Sequence, residues 1–134
     1  MSIPFRISLI KTLQFAMFPD FLVNGDKVII TSEFNFSVNK PLSSVRCISK
    51  FNYTQNEKLL LTIEIACFFD ISEDGTKELK QQGKLSVDFL RYLATISTGT
   101  ARGIICAKTE GTVLNSVVLP PINLVDAIKT DFSF

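Results

Sequence analysis

Hydrophobic and polar residues alternate with period two through the first half of the chain, the mark of strands that bury one face. Ile3, Phe5, Ile7, Leu9, Leu13, Phe15 and Met17 form an apolar row, with Arg6, Ser8, Thr12 and Gln14 between them. Lys11 interrupts the row, which places a bend or bulge near it. After a connection ending in the turn pair Asn24-Gly25, a second strand sets Val28, Ile30, Phe34, Phe36 and Val38 on one face. Thr31, Glu33, Asn35, Ser37 and Asn39 take the other. A third run, 45–53, carries Val45, Cys47, Phe51 and Tyr53 on one face. The fourth, 59–71, is apolar at every odd position and also at Leu60, Ala66 and Phe68. Such a strand sits in the middle of a sheet or meets a partner with its second face. The short connections predict an antiparallel meander or a variant of it, since parallel strands need long crossovers.

The period changes after Ser72-Glu73-Asp74-Gly75. Residues 78–82 suit a short helix. From Ser86 apolar and small positions recur every three or four residues: Phe89, Leu90, Leu93, Ile96, Thr100, Gly103, Ile104 and Ala107. Ser86 suits the N-cap, Asp88 the first turn and Gly111 the stop. An apolar connector, Val113 to Leu119, leads through Pro120-Pro121 to Asn123, placed to cap a last short helix from Leu124 to about Thr130. The reading is a single α+β domain over 1–134, antiparallel strands followed by one long and one short helix.

Composition then removes whole classes of function. A chain of 134 residues is the size of one domain and long enough to bury a core. Its net charge of +1 gives no basic footprint for nucleic acid. With no histidine, every histidine-based triad and metal site is gone. Cys47, Cys67 and Cys106 are isolated and odd in number, which argues for buried thiols in a reducing compartment. No charged segment precedes an apolar one near the first residue, and no apolar run approaches the ~18 residues of a membrane span. A signal peptide and membrane insertion are therefore not expected, and the cytoplasm is. The sequons at Asn35 and Asn52 are then chance matches.

No catalytic constellation stands out. Gly99-Thr100-Ala101-Arg102-Gly103 lacks the Gly-Lys-Ser/Thr of a phosphate loop and lies inside the helical pattern. Asp70, Glu73, Asp74 and Glu78 lack the alternating ligand spacing of a calcium loop. Neither an enzyme, a metal nor a cofactor is expected. Gly99, Gly103 and Ala107 recur every four residues, so another helix or sheet approaches there, in the same chain or in a second copy. Of the 12 phenylalanines, most suit a core. Phe18, Phe21 and Leu22 fall in a connection, and Phe132 and Phe134 near the last residue, where apolar side chains suggest a surface that something covers.

The order of elements now meets particular residues. Ala101-Arg102 in the long helix, Gly111-Thr112 after it and Pro121-Ile122-Asn123 at the step into the last helix resemble the SecB family of bacterial export chaperones. Cys67-Phe68-Phe69-Asp70-Ile71 resembles the end of that family's fourth strand. The resemblance covers residues 58–129, with a match of pattern and element order over 3–53.

It implies a four-stranded antiparallel sheet with a long and a short helix packed on one face. It also implies a homo-oligomer, a dimer of dimers, and ATP-independent holding of unfolded or precursor polypeptides. Substrate-binding positions would be Phe18, Phe21, Leu22, Leu124, Val125, Ile128 and Phe132. Leu60, Ala66, Phe68, Gly99, Gly103 and Ala107 would meet other subunits. The family docks the SecA motor through carboxylates; the matching positions here are Leu13, Met17 and Thr62, none acidic, and the 73–83 insertion is atypical. Alternatives to an export holdase are a chaperone dedicated to one partner, such as the antitoxin of a toxin–antitoxin system, and a non-chaperone interaction subunit of the same fold.

Overall fold

The computed structural model describes residues 3–134. Its elements run β1 (Phe5–Met17), β2 (Ile29–Val38), β3 (Ser44–Gln55), β4 (Lys58–Ile71), α1 (Glu73–Gln82), β5 (Lys84–Leu85), α2 (Val87–Lys108), α3 (Leu124–Ala127) and β6 (Phe132–Ser133). The architecture is α+β. Strands β1 to β4 make one antiparallel sheet in the order β1-β4-β3-β2, and β5 pairs with β6 apart from it.

The sheet is not a simple meander. The chain crosses from β1 at one edge to β2 at the other, then returns by hairpins to lay β4 beside β1, a Greek-key path. This settles why β4 is apolar on both sides: it is a central strand, paired on both edges. The β3–β4 hairpin turns at Asn56 and Glu57, both at positive φ (51° and 65°), the primed turn that suits the twist of a two-residue hairpin.

Two register slips in β1, between Ile7 and Leu9 and between Thr12 and Gln14, flank Lys11. They reverse the parity of the strand between them. Leu9 pairs with Phe68, on the face away from the helices, while Ile10 pairs with Cys67 on the core face. The apolar row expected along β1 is therefore broken, because each bulge turns the following side chains to the other face.

Helix α2 crosses the core face over β3 and β4 and touches β1 toward its two ends. At its start Phe89 packs edge-on to Phe5 of β1 at 5.6 Å; near its end the Lys108 ammonium lies 5.2 Å from the Phe15 ring. Its buried face is Leu90, Leu93, Ala94, Ser97, Thr98, Ala101 and Ile105. That stripe is rotated from the predicted one, leaving Gly103 and Ala107 exposed. Two hydroxyls are tolerated inside because Ser97 donates to the Leu93 carbonyl (2.9 Å) and Thr98 to Ala94 (2.8 Å).

Helix α1 is longer than the sequence pattern suggests, because Ser72 caps it by accepting from the Gly75 N–H at 3.0 Å. The carboxylates that begin it, Glu73 and Asp74, sit in its first turn, and Asp70 pairs with Arg6 across the sheet. Asn123 caps α3 as expected, but the helix ends at Ala127, and the chain turns to form β6, which the sequence pattern does not foretell. No helix among the described residues is long and apolar enough to cross a membrane.

Candidate functional site

Residues 118–122, with no N–H to donate at Pro120 and Pro121, run beside α2 as irregular chain. Their carbonyls are met from the helix side. Arg102 Nε donates to the Leu119 carbonyl at 2.6 Å and Nη2 to that of Pro120 at 3.2 Å. One helical region earlier, Arg91 does the same for α3, Nε to the Ile128 carbonyl (3.0 Å) and Nη2 to Val125 (3.3 Å). Two arginines of one helix thus hold the connector and the short helix after it by their backbones, with Leu119 and Ile128 buried and Val118 and Val125 left exposed.

Between helix and connector lies a groove of about 620 Å³, floored by Thr95, Thr98 and Arg102, walled by Val118 to Ile122 and ended by Leu124. Both threonine hydroxyls already donate to helix carbonyls, of Arg91 and Ala94. The surface left to a visitor is chiefly apolar, with Val118 63% exposed. Such a lining receives apolar side chains without demanding fixed hydrogen-bond geometry.

The β1–β2 connection forms a second apolar surface. Phe18 and Phe21 stack at 5.8 Å over a short 3-10 turn, are 40% and 47% exposed, and carry the Lys58 ammonium 5.1 Å from the Phe21 ring. Gln55 fixes this loop: its buried amide accepts from the Val23 N–H (2.8 Å) and donates to the carbonyls of Val23 (2.8 Å) and Asp26 (3.0 Å). The Tyr53 hydroxyl is buried without a hydrogen-bond partner among the described residues, and burial pushes it up to about 12 against the opposing pull of Arg102.

The structure does not gather the seven expected substrate-binding residues into one surface. Leu124 lines the groove and Val125 is exposed on the short helix beside it. Phe18 and Phe21 are exposed but outside the groove, and Leu22 is half-buried against the core. Ile128 is corrected: only 7% exposed, it belongs to the core, drawn in where Arg91 holds its carbonyl. Phe132 sits in β6 and lines a separate cavity.

Two of the expected subunit contacts are corrected as well. Leu60 and Ala66 are buried within the chain, Leu60 where the β1–β2 connection bonds to it through the Phe18 N–H (2.8 Å), Ala66 because it is small and flanked by strands on both sides. Phe68 is half-buried on the far face of the sheet. Gly99 and Gly103 are exposed, and a Cβ at Gly103 would meet nothing within 4 Å, so packing inside one chain does not explain that glycine. Tyr92 shares their helix stripe, and Ile7 and Ile10 of β1 are exposed.

Arg91 and Gln55 escape a reading by motif, and Ala101-Arg102 marks a family likeness without revealing that Arg102 holds the connector. The available signal is indirect: a Pro-Pro pair leaves carbonyls that need donors from elsewhere, and arginine brings several donors in a fixed fork.

No protein-family model matches the chain, and no curated protein matches it in sequence. Among solved structures it is similar to a Mycobacterium tuberculosis SecB-like chaperone, Rv1957, solved in complex with a ChAD peptide from the Rv1956 HigA1 antitoxin. The two share 16% identity over 88% of this chain and 90% of that chain, with a TM-score of 0.55. Carried by the four-stranded antiparallel sheet and its helices, that likeness makes the fold of this chain SecB-like.

Proposed function

We propose that this chain is an ATP-independent chaperone that acts by binding, not by catalysis, and holds apolar segments of unfolded or partly folded polypeptide in the cytoplasm. The observation that carries the reading is the apolar groove between α2 and residues 118–124, held open by Arg102. Each apolar side chain it buries contributes roughly 1.5–3 kcal/mol before ordering costs, so contacts stay reversible while several together hold a long chain. A client range restricted to a dedicated partner, such as an antitoxin, is favoured over export. The similar mycobacterial chaperone is bound to an antitoxin peptide, and Leu13, Met17 and Thr62 offer no carboxylate for a motor. Assembly into a homo-oligomer covers Ile7, Ile10, Tyr92, Gly99, Gly103 and Ala107, an apolar strip with no cover in the single chain.

The test is suppression of aggregation of a slowly refolding client without nucleotide, by the parent and by Val118→Asp with Leu124→Ser. The parent suppresses and the folded variant does so at least several-fold less. A parent that neither suppresses aggregation nor binds an unfolded segment would defeat the proposal.

A further inference from the structure

Segment 131–134 is docked by a repeating set of contacts. Asp131 Oδ1 accepts from the Val87 backbone N–H at 2.7 Å, at the start of α2, and Oδ2 pairs with Lys84 Nζ at 3.0 Å. Phe132 and Ser133 form β6 against Leu85 and Lys84, and the Phe134 N–H donates to the Gly83 carbonyl at 3.1 Å. Phe132 shares the walls of a cavity of about 280 Å³ with Phe34, Phe36 and Leu90. That cavity lies against β2, the outer strand of the main sheet, so space remains beside the segment.

Each tie is individually weak. The ladder is two residues long, and the ion pair is 47% and 34% exposed and therefore screened. Taken together they are the means by which folded domains capture extended peptides. Main-chain pairing supplies affinity, a pocket for one side chain supplies selectivity, and a helix start receives a carboxylate. Here the occupant is this chain's own Asp131-Phe132-Ser133-Phe134.

We infer that residues 83–87, with Phe34, Phe36 and Leu90, form a peptide-docking site filled in cis by segment 131–134, and that a partner segment with a carboxylate just before an aromatic residue takes it in trans. Tethering gives the resident segment an effective concentration of order millimolar or more, so a competitor sees only the fraction of molecules whose site is open. The inference draws on the proposed function only in that the partner is a polypeptide; the site is separate from the α2 groove.

The probe is a fluorescent, amidated peptide Lys-Thr-Asp-Phe-Ser-Phe, followed by polarisation. Full-length chain carrying Asp131→Ala and Phe132→Ala binds it at least tenfold more tightly than the parent does. Replacing Asp by Asn or the first Phe by Ala in the probe removes that gain. A folded variant that binds no better than the parent, or equal binding of a scrambled probe, overturns the inference. A second variant keeps Asp131 and Phe132 native: Lys84→Cys with Ser133→Cys, in a Cys106→Ser background, joins two residues paired in the ladder. Oxidised, it loses the probe, and reduction restores binding; binding unchanged by the cross-link overturns the inference. Aggregation suppression is measured on the same proteins. Suppression without probe binding counts against this site alone, and probe binding without suppression counts against the holding function alone.

Discussion

Arg102 Nε and the Leu119 carbonyl, 2.6 Å apart, join the long helix to the far wall of the groove. Leu119 is itself buried, so its carbonyl has little water to turn to if the guanidinium is removed. Arg102→Met keeps the bulk of the side chain and removes both bonds. It is expected to destabilise the fold by about 1–2 kcal/mol, seen as a lower thermal midpoint, and to weaken client holding. Arg102→Lys should recover little, because an ammonium cannot serve two carbonyls in the planar fork of arginine. A variant with unaltered melting and unaltered holding would show that the wall stands without Arg102.

Gly103→Leu separates two kinds of stability. Among the described residues a Cβ at this position meets nothing within 4 Å, and leucine in a helix is favoured over glycine by about 0.8 kcal/mol. The isolated subunit should therefore be unharmed or slightly stabilised. If a second copy approaches α2 at Gly99 and Gly103, the same substitution should reduce the assembled mass measured by light scattering. Equal mass for parent and variant would move the subunit contact elsewhere.

Tyr53 carries a buried hydroxyl with no partner among the described residues, so Tyr53→Phe removes a desolvated group and little else. The variant should match or exceed the parent by up to about 1 kcal/mol near neutral pH. The sign at high pH follows from linkage. The folded value, about 12, lies above the ordinary 10.0, so the folded state resists deprotonation. The stability tied to the neutral phenol is complete below pH 10 and is lost as pH rises toward 12. Denaturant melts of parent and variant across that window should diverge; parallel curves would mean that Tyr53 ionises freely in the folded chain.

The strands and the long helix were legible because each rests on a local signal. Alternation marked β2 and β3, and the Ser86 cap marked the start of α2. The register of β1 was not, since a one-residue slip at Ser8 or Leu13 costs the sequence pattern little yet turns Leu9 to the far face. The two-residue strands β5 and β6 were invisible: they exist through Asp131, Lys84 and the Val87 N–H, which meet only once the chain has folded. The site was half legible for the same reason. Apolar residues in the connection and the last helix marked a surface, but which of them face outward depends on Arg91, which draws Ile128 inward and leaves Val125 in solvent.

The cysteines offer a test that joins core and assembly. Cys47 and Cys67 face each other across the β3–β4 ladder, both fully buried. Burial pushes both thiols up, against the weaker pull of the Ser97 hydroxyl, so little reactive thiolate forms and little reagent reaches it. Cys106 is exposed, on the α2 stripe that also carries Gly99 and Gly103. In the native protein an aromatic disulfide reagent should react with Cys106 alone, and with the other two only as the fold opens. Because Cys47 and Cys67 share one ladder step, they should react together, at a rate that rises with denaturant as global unfolding does. Cys106 should in addition react more slowly in the assembled protein than in Gly103→Leu, and faster on dilution. A fast phase of more than one thiol would overturn the burial of the pair. A Cys106 rate indifferent to both concentration and the Gly103 substitution would exclude assembly through this face of α2.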